Sequence, residues 1–428
     1  MKKSLSVLLA ILMLFSITCL PAANAAVKAP EINNVIFMIG DGMGYNHLRL
    51  AEQEGYSLFM EQNADLAGWS RTRSYSSGVT DSAAGATALS CGVRVKNGQV
   101  GVFADAFRFI NAVPRSITEN AALHGMRVGV VTTDKTTGAT PAGYSAHALS
   151  RNDEPIITAQ QLESGFDLIW GAKTESASED AVTAHGWTYV SNVMELRDLK
   201  PGTRSFAQLP GDCWRLTPSK SSPTLAEMTQ KSISLLSADA PDGFFLMVEG
   251  AHIDKFADDQ TDGLVDYPEK RAQTAEAVAG FDNAVAAAVE FARADGHTLV
   301  IVTADHETGD LYFDDAAGEY AFHGSSHTSA NVPVFVYGAA DLFRPGQRVN
   351  NCSFPDRIAA KLGWAERFPI RDPRPEGLAD PAPFSKEDVS SFLNHLNVVF
   401  NAVLKEIKEA WLQISQTVPA LLPAAQGA

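Results

Sequence analysis

Asn34-Val35-Ile36-Phe37-Met38-Ile39-Gly40 runs straight into Asp41-Gly42-Met43-Gly44. A short, unbroken apolar run of this kind belongs to a strand covered on both faces, as in parallel sheets flanked by helices. It ends in a carboxylate, Asp41, among glycines that leave the backbone room. In open α/β sheets the carboxyl ends of the strands are where ligands bind. An Asp-Gly after a strand is also a common turn, so one such ending decides little.

The pattern recurs along the chain. Arg127-Val128-Gly129-Val130-Val131-Thr132-Thr133 is a second strand, and Phe166 to Gly171 a further short one. Gly243-Phe244-Phe245-Leu246-Met247-Val248 leads into Glu249, His252, Asp254, Asp258 and Asp259. So many carboxylates are costly to bury unless cations offset them, although a solvated acidic loop would hold them too. Glu249 itself directly follows the apolar run, which sets it at the end of a core strand. An Ala/Glu-rich helix spans about Tyr267 to Ala294, with Val278, Phe281, Val285 and Val289 on one face. Thr298 to Thr303 is the next buried strand and ends in Asp305-His306. His323 and His327 lie in a Gly/Ser loop before a last strand, Val332 to Gly338. Three buried strands ending in Asp41, Glu249 and Asp305-His306 argue for an α/β protein with one site at the strand ends. Residues 152–223 otherwise read as polar and irregular.

The nucleophile candidate lies in Val79-Thr80-Asp81-Ser82-Ala83-Ala84-Gly85-Ala86-Thr87-Ala88-Leu89. It sets Ser82 in the first turn of a small-residue helix, where a hydroxyl and free backbone N–H groups can face an anion. A close-packed helix without function fits the same run. No histidine lies nearby in sequence, so an active Ser82 needs a base from elsewhere in the fold or a coordinated metal.

The chain has 428 residues, enough for a large core, with 45% hydrophobic and 20% charged residues. Its formal charge of −16 argues against a nucleic acid partner or an anionic membrane, since both need basic surface. Lys2-Lys3, the apolar run Leu5 to Leu20 and Ala23-Asn24-Ala25 read as a signal peptide, residues 1–25. Export to the periplasm or medium follows, with no stable membrane span after cleavage. Cys91, Cys213 and Cys352 remain, an odd number that allows one disulfide at most. Beyond a catalytic domain of residues 26–365, residues 366–384 form a Pro-rich linker. Residues 385–428 form an extension whose Phe392, Leu396, Val399, Val403, Ile407 and Trp411 mark an amphipathic helix.

Taken together, GDGMG, TDSAAGATAL, GATPAGYSAH with SR, VEGAHIDK, TADHETGDL and FHGSSHT resemble the alkaline phosphatase family, from about Val35 to Tyr337. The resemblance implies a three-layer α/β sandwich with a largely parallel central sheet and hydrolysis of phosphate monoesters through a phosphoserine. Ser82 would be the nucleophile and Arg151 the phosphate clamp. Asp41, Asp305 and His306 would hold one zinc, and Asp254 and His327 the other. Asp41, Thr140 and Glu249 would surround a magnesium, and Lys255 would add positive charge near the phosphate. Family members are often dimers, so a homodimer is one option.

Two positions depart from the family pattern. Asp258 stands where a zinc-binding histidine is usual, which implies a harder ligand set and a different metal preference. Gly138 stands where the family offers an aspartate or histidine near the magnesium, leaving a water or His252 to fill the place and implying weaker occupancy. Three rivals share the architecture or the site. Phosphodiester hydrolysis would show in relative rates on the two ester types. Sulfate ester hydrolysis needs a Pro and an Arg after the nucleophile, whereas Ala83-Ala84-Gly85 follow Ser82. A phosphate- and metal-binding protein without turnover is the third.

Overall fold

The computed structural model describes residues 32–104, 110–261 and 263–372. Nearly all of these fall in one compact unit, residues 32–103 and 112–372, while Ala104 and residues 110–111 belong to a second. The expected signal peptide, the C-terminal helix and all but the start of the Pro-rich linker lie outside the described residues.

Ten strands form the main sheet: β1 (Asn34–Gly40), β2 (Leu66–Arg71), β3 (Arg127–Lys135), β4 (Leu168–Ala172), β5 (Thr188–Val190), β6 (Ser205–Leu209), β7 (Phe244–Gly250), β8 (Thr298–Thr303), β9 (Val332–Tyr337) and β10 (Arg348–Asn350). Their order is β10-β2-β9-β8-β1-β7-β3-β4-β6-β5. Within this sheet only β9 runs against its neighbours; the other pairings are parallel.

Alternation within the central strands explains why they read as continuous apolar runs. Ile36 and Met38 face one core with Leu246, Val248, Val300 and Val302. Val35, Phe37 and Ile39 face another with Phe245, Met247, Leu299 and Ile301. Both faces must therefore be apolar, since each is covered by helices. The first core is roofed by α1 (Tyr45–Gln53), the helix Leu225–Leu236 and the long α5 (Pro268–Asp295). The second is roofed by α2 (Ser82–Cys91), the helix Ile117–Leu123, α3 (Ala139–Ser145) and the helix Phe354–Lys361. Helix, sheet and helix make the three layers. A single fully buried residue such as Phe37, 0% exposed, contributes on the order of 2 kcal/mol of hydrophobic stabilisation.

Residues 152–223 are regular, against the expectation that they would be irregular. They contain the helices Glu154–Glu163, Glu179–Ala184 and Val193–Asp198 together with β5 and β6. The strands there have three and five residues, too few for a period to stand out. The caps Ser178 and Asn192, whose side chains accept from Ala181 N and from Met194 and Glu195 N, are the local signals for two of the helices.

Register brings the strand ends together. Ile39 of β1 pairs with Thr303 of β8 on one side and Glu249 of β7 on the other, and Glu249 pairs with Thr132 of β3. Because these four strands run in one direction, Asp41, Thr132, Glu249 and Asp305 all emerge at one edge of the sheet.

Candidate active site

Ser82 is the first residue of α2, 3% exposed. Asp81 caps the helix, its Oδ1 accepting from Ala84 N at 3.0 Å. Its Oδ2 accepts from Gly98 N at 2.9 Å and from Arg151 Nη1 at 3.4 Å. One carboxylate thus starts the helix and tethers the arginine beside it. The small residues of α2 let it lie against the end of β8: a Cβ at Gly85 would come within 3.0 Å of Asp305 Cβ and 3.2 Å of its carbonyl. A larger residue there would press on the Asp305 backbone.

Ser82 Oγ sits 3.2 Å from His306 Nε2. Asp305 Oδ2 lies 3.2 Å from the same nitrogen and Asp41 Oδ1 lies 3.5 Å from it. This is not the arrangement of a serine–histidine–aspartate triad, in which the acid binds the opposite ring nitrogen. His306 Nδ1 instead faces Thr308 Oγ1 at 3.2 Å. The Thr308 hydroxyl donates to Asp254 Oδ1, so it accepts from an Nδ1–H. Nε2 is then the accepting nitrogen, within reach of the Ser82 hydroxyl and turned toward two carboxylate oxygens. His327 repeats the device: Nδ1 donates to the Thr80 carbonyl at 3.0 Å, and Nε2 points at Asp254 Oδ1, 3.5 Å away. The two rings stack with centroids 3.5 Å apart.

Lone pairs and carboxylates facing one another without a proton between them are unfavourable unless a cation lies among them. Asp41 Oδ1 and Asp305 Oδ2 are buried with no hydrogen-bond partner, and so is Thr140 Oγ1, which lies beside the Glu249 carboxylate without a well-formed bond to it. Burial holds the Asp41 carboxyl far above the ordinary range, and the charges of Asp305, Asp254 and Glu249 add to this. Burial, then Asp134, pushes Glu249 up to about 8, against the hydrogen bond it accepts from Thr132. Burial lowers the His306 imidazole, partly offset by Asp305. Two groups hold ligand atoms within 4.8 Å of one another: Asp41 with Asp305 and His306, and Asp254 with His306 and His327. The donors are imidazole nitrogen and carboxylate oxygen, the set that suits zinc, with hydroxyl and carboxylate at Thr140 and Glu249 suiting magnesium. The residues present therefore fit bound divalent cations.

Asp258, exposed, stands one helical turn after Asp254, its N–H on the Asp254 carbonyl at 2.8 Å, and belongs to neither group. Its carboxyl is raised by burial first and by Asp254, and lowered by His327, so it shares their neighbourhood. Lys255 is not unengaged near the site: its Nζ donates to Asp134 at the end of β3. His252 turns toward Thr133 Oγ1, 3.0 Å away, and stacks on Trp214. His323 pairs with Asp310 at 3.5 Å in an exposed position, apart from the cluster. Cys91, Cys213 and Cys352 are all free thiols. Sequence reasoning passed over Asp81, Thr308 and Asp134. For Asp81 the signal existed, an aspartate directly before a helix.

The sequence profile of the alkaline phosphatase family matches residues 32–181 and 158–341. The chain belongs to the alkaline phosphatase family. Alkaline phosphatase 4 of Bacillus subtilis is 32% identical over 332 residues, 72% of this chain and 68% of that one. The enzyme of Escherichia coli K12 is 31% identical over 342 residues, 64% of this chain and 69% of its own. Among solved structures, the alkaline phosphatase of the Antarctic bacterium TAB5 superposes with a TM-score of 0.66 at 27% identity, covering 79% of this chain and all of that one. A histidine-to-aspartate variant of the TAB5 enzyme has been solved with magnesium in a site termed M3. The protein is thus a phosphatase of this family, acting on small phosphorylated substrates. Among the described residues no helix is long and apolar enough to cross a membrane.

Proposed function

We propose that the protein is an exported phosphate monoesterase that works through a covalent phosphoserine at Ser82 and an in-line displacement between two divalent cations. One observation carries this reading: Ser82 Oγ, Asp41 Oδ1 and Asp305 Oδ2 converge on the unprotonated Nε2 of His306, and the two carboxylate oxygens have no donor of their own.

In this reading Asp41, Asp305 and His306 would hold a zinc. Asp254 and His327 hold a second, with Asp258 at its rim, and Asp41, Thr140 and Glu249 hold a magnesium. Bound divalent cations lower the proton affinity of the serine oxygen and offset the charge on the entering and leaving oxygens. The chain does the rest. The N-terminal turn of α2 directs Ser82 Oγ, and its N–H groups favour an anion there. Arg151 receives the phosphoryl oxygens with a planar fork that Asp81 steadies at Nη1, and Lys255 lends positive charge from α4 (His252–Ala257). Attack by Ser82 Oγ on phosphorus expels the alcohol and leaves phosphoserine; water then cleaves it to inorganic phosphate and restores the hydroxyl. Gly138 leaves the magnesium set one side chain short of the pattern the family resemblance implies. The signal-type N-terminus supports export.

The test is turnover of p-nitrophenyl phosphate and bis(p-nitrophenyl) phosphate with zinc and magnesium supplied. The monoester should be preferred, acid quench should trap phosphate on the protein, and Ser82→Ala should abolish both turnover and trapping. Equal trapping in Ser82→Ala, or preference for the diester, sinks the proposal.

A further inference from the structure

Gly138 precedes α3 with φ −51°, a backbone any residue accepts. Conformation therefore does not explain the glycine. Space does: a Cβ at 138 would lie 2.6 Å from Asp134 Oδ2 and 3.0 Å from the Lys135 carbonyl. The volume that a side chain at 138 would use is taken by the carboxylate of Asp134. Two ties hold that carboxylate there. Lys255 Nζ donates to Oδ1, which leaves Oδ2 as the oxygen facing Gly138. The Asp134 N–H donates to Thr132 Oγ1 at 2.8 Å, and the same hydroxyl donates on to Glu249 Oε2. A single threonine thus links the Asp134 backbone to the buried glutamate, and Thr140, 1% exposed and with no well-formed bond to its Oγ1, also lies beside that glutamate.

We infer that Asp134 supplies, from the end of β3, the carboxylate that position 138 lacks, and serves as an outer anionic group beside Thr140 and Glu249 for a magnesium-type cation. The inference rests on the three-cation reading above. It makes Asp134 a positioning and charge-supplying residue of the third site, whose carboxylate a side chain at 138 would have to move aside. In this reading a carboxylate four residues earlier in the chain stands in for the side chain that the family pattern offers at 138.

The experiment measures magnesium uptake by the full, zinc-loaded protein, using equilibrium dialysis with elemental analysis and titration calorimetry with magnesium alone. Asp134→Ala and the isosteric Asp134→Asn should each weaken magnesium about 10- to 100-fold while the zinc content stays at wild type, the usual effect of removing an outer ligand group. Gly138→Asp alone crowds two carboxyls into one space and should lower the thermal midpoint. Asp134→Ala combined with Gly138→Asp should recover magnesium affinity at least 10-fold over Asp134→Ala. Wild-type magnesium binding in both Asp134 variants, or a double variant no better than Asp134→Ala, overturns the assignment of Asp134 and leaves the enzyme reading standing. A wild-type protein that hydrolyses the monoester yet takes up no magnesium overturns the third site itself, and this inference with it.

Discussion

The two halves of the site are built to different standards. Asp305 and His306 are 0% exposed and Asp41 7%, and their facing oxygens have no protein donor. Across the stacked imidazoles, the Asp254 and His327 side chains are 16% and 22% exposed. Each of these has a tie within the chain, Asp254 to the Thr308 hydroxyl and His327 to the Thr80 carbonyl. In the proposed reading the closed half takes its electrostatic balance from a cation, whereas the open half is partly satisfied by the fold and by solvent. Asp258, which the family resemblance sets in place of a histidine, is electrostatically coupled to the open half, to Asp254 and His327.

The largest effect should come from the closed half. Asp305→Asn removes a charge facing Nε2 of His306, and kcat/KM for a phosphate monoester should fall by about 10³, some 4 kcal/mol of transition-state stabilisation. Asp254→Asn should cost at least tenfold less. Steady-state kinetics with saturating zinc on both variants makes the comparison. Equal losses would mean that the two halves are not functionally unequal.

Next in size is the response to metal removal. In the metal-free protein the Glu249 carboxyl is pushed up to about 8 from 4.5, mainly by burial and Asp134, and Asp41 is raised as well. A carboxyl with a raised folded-state pKa binds its proton more tightly in the folded chain than in the unfolded one. The stability it contributes is complete below pH about 4.5 and is lost as pH rises toward about 8. The chelated protein should therefore lose a few kcal/mol between pH 5 and pH 8, seen as a midpoint falling by several degrees. With zinc and magnesium bound the carboxylates are compensated and this loss should shrink or reverse. Differential scanning calorimetry across pH, with and without chelator, would show the two curves separating as pH rises. Parallel curves would break the link between the unpartnered oxygens and the cations.

This asymmetry also explains what could be read from the sequence. Asp41, Glu249, Asp305 and His306 come within a few residues of runs such as Val35–Ile39 and Leu299–Val302, so strand and candidate ligand are close in the chain and their grouping at one edge follows from parallel order. Asp81 had a capping signal. Thr308 and the Thr80 carbonyl act only through contacts made once the chain has folded, and a threonine in sequence carries no mark of which nitrogen it will face. Asp134 was hidden for a related reason: its meaning lies in a contact with Gly138 and another with Lys255, 121 residues away. The strands β2, β5, β6 and β10 escaped because they are short or lie toward the ends of the sheet. Leu66–Arg71, for instance, alternates buried and exposed residues and contains a glycine.

The smallest effect expected is at Asp258. Its N–H bonds to the Asp254 carbonyl at 2.8 Å, so the two side chains start one turn apart on the same face of the chain. Asp254 raises its carboxyl and His327 lowers it, which puts it within electrostatic reach of both. A carboxylate there is a harder ligand than imidazole and tolerates oxygen-preferring cations. Asp258→His should tighten zinc at the open half by about tenfold, near 1.4 kcal/mol, and shift the preference among zinc, manganese and magnesium toward zinc. The thermal midpoint of the metal-free protein should hardly move, because the residue is exposed. Competition against a chelator of known affinity reads the first effect, and activity after reconstitution with each metal reads the second. The closed half should keep its zinc unchanged in the same experiment. An unchanged open-half affinity would place Asp258 out of reach of the cation, leaving Asp254 and His327 to hold it with solvent and making the open half more open still.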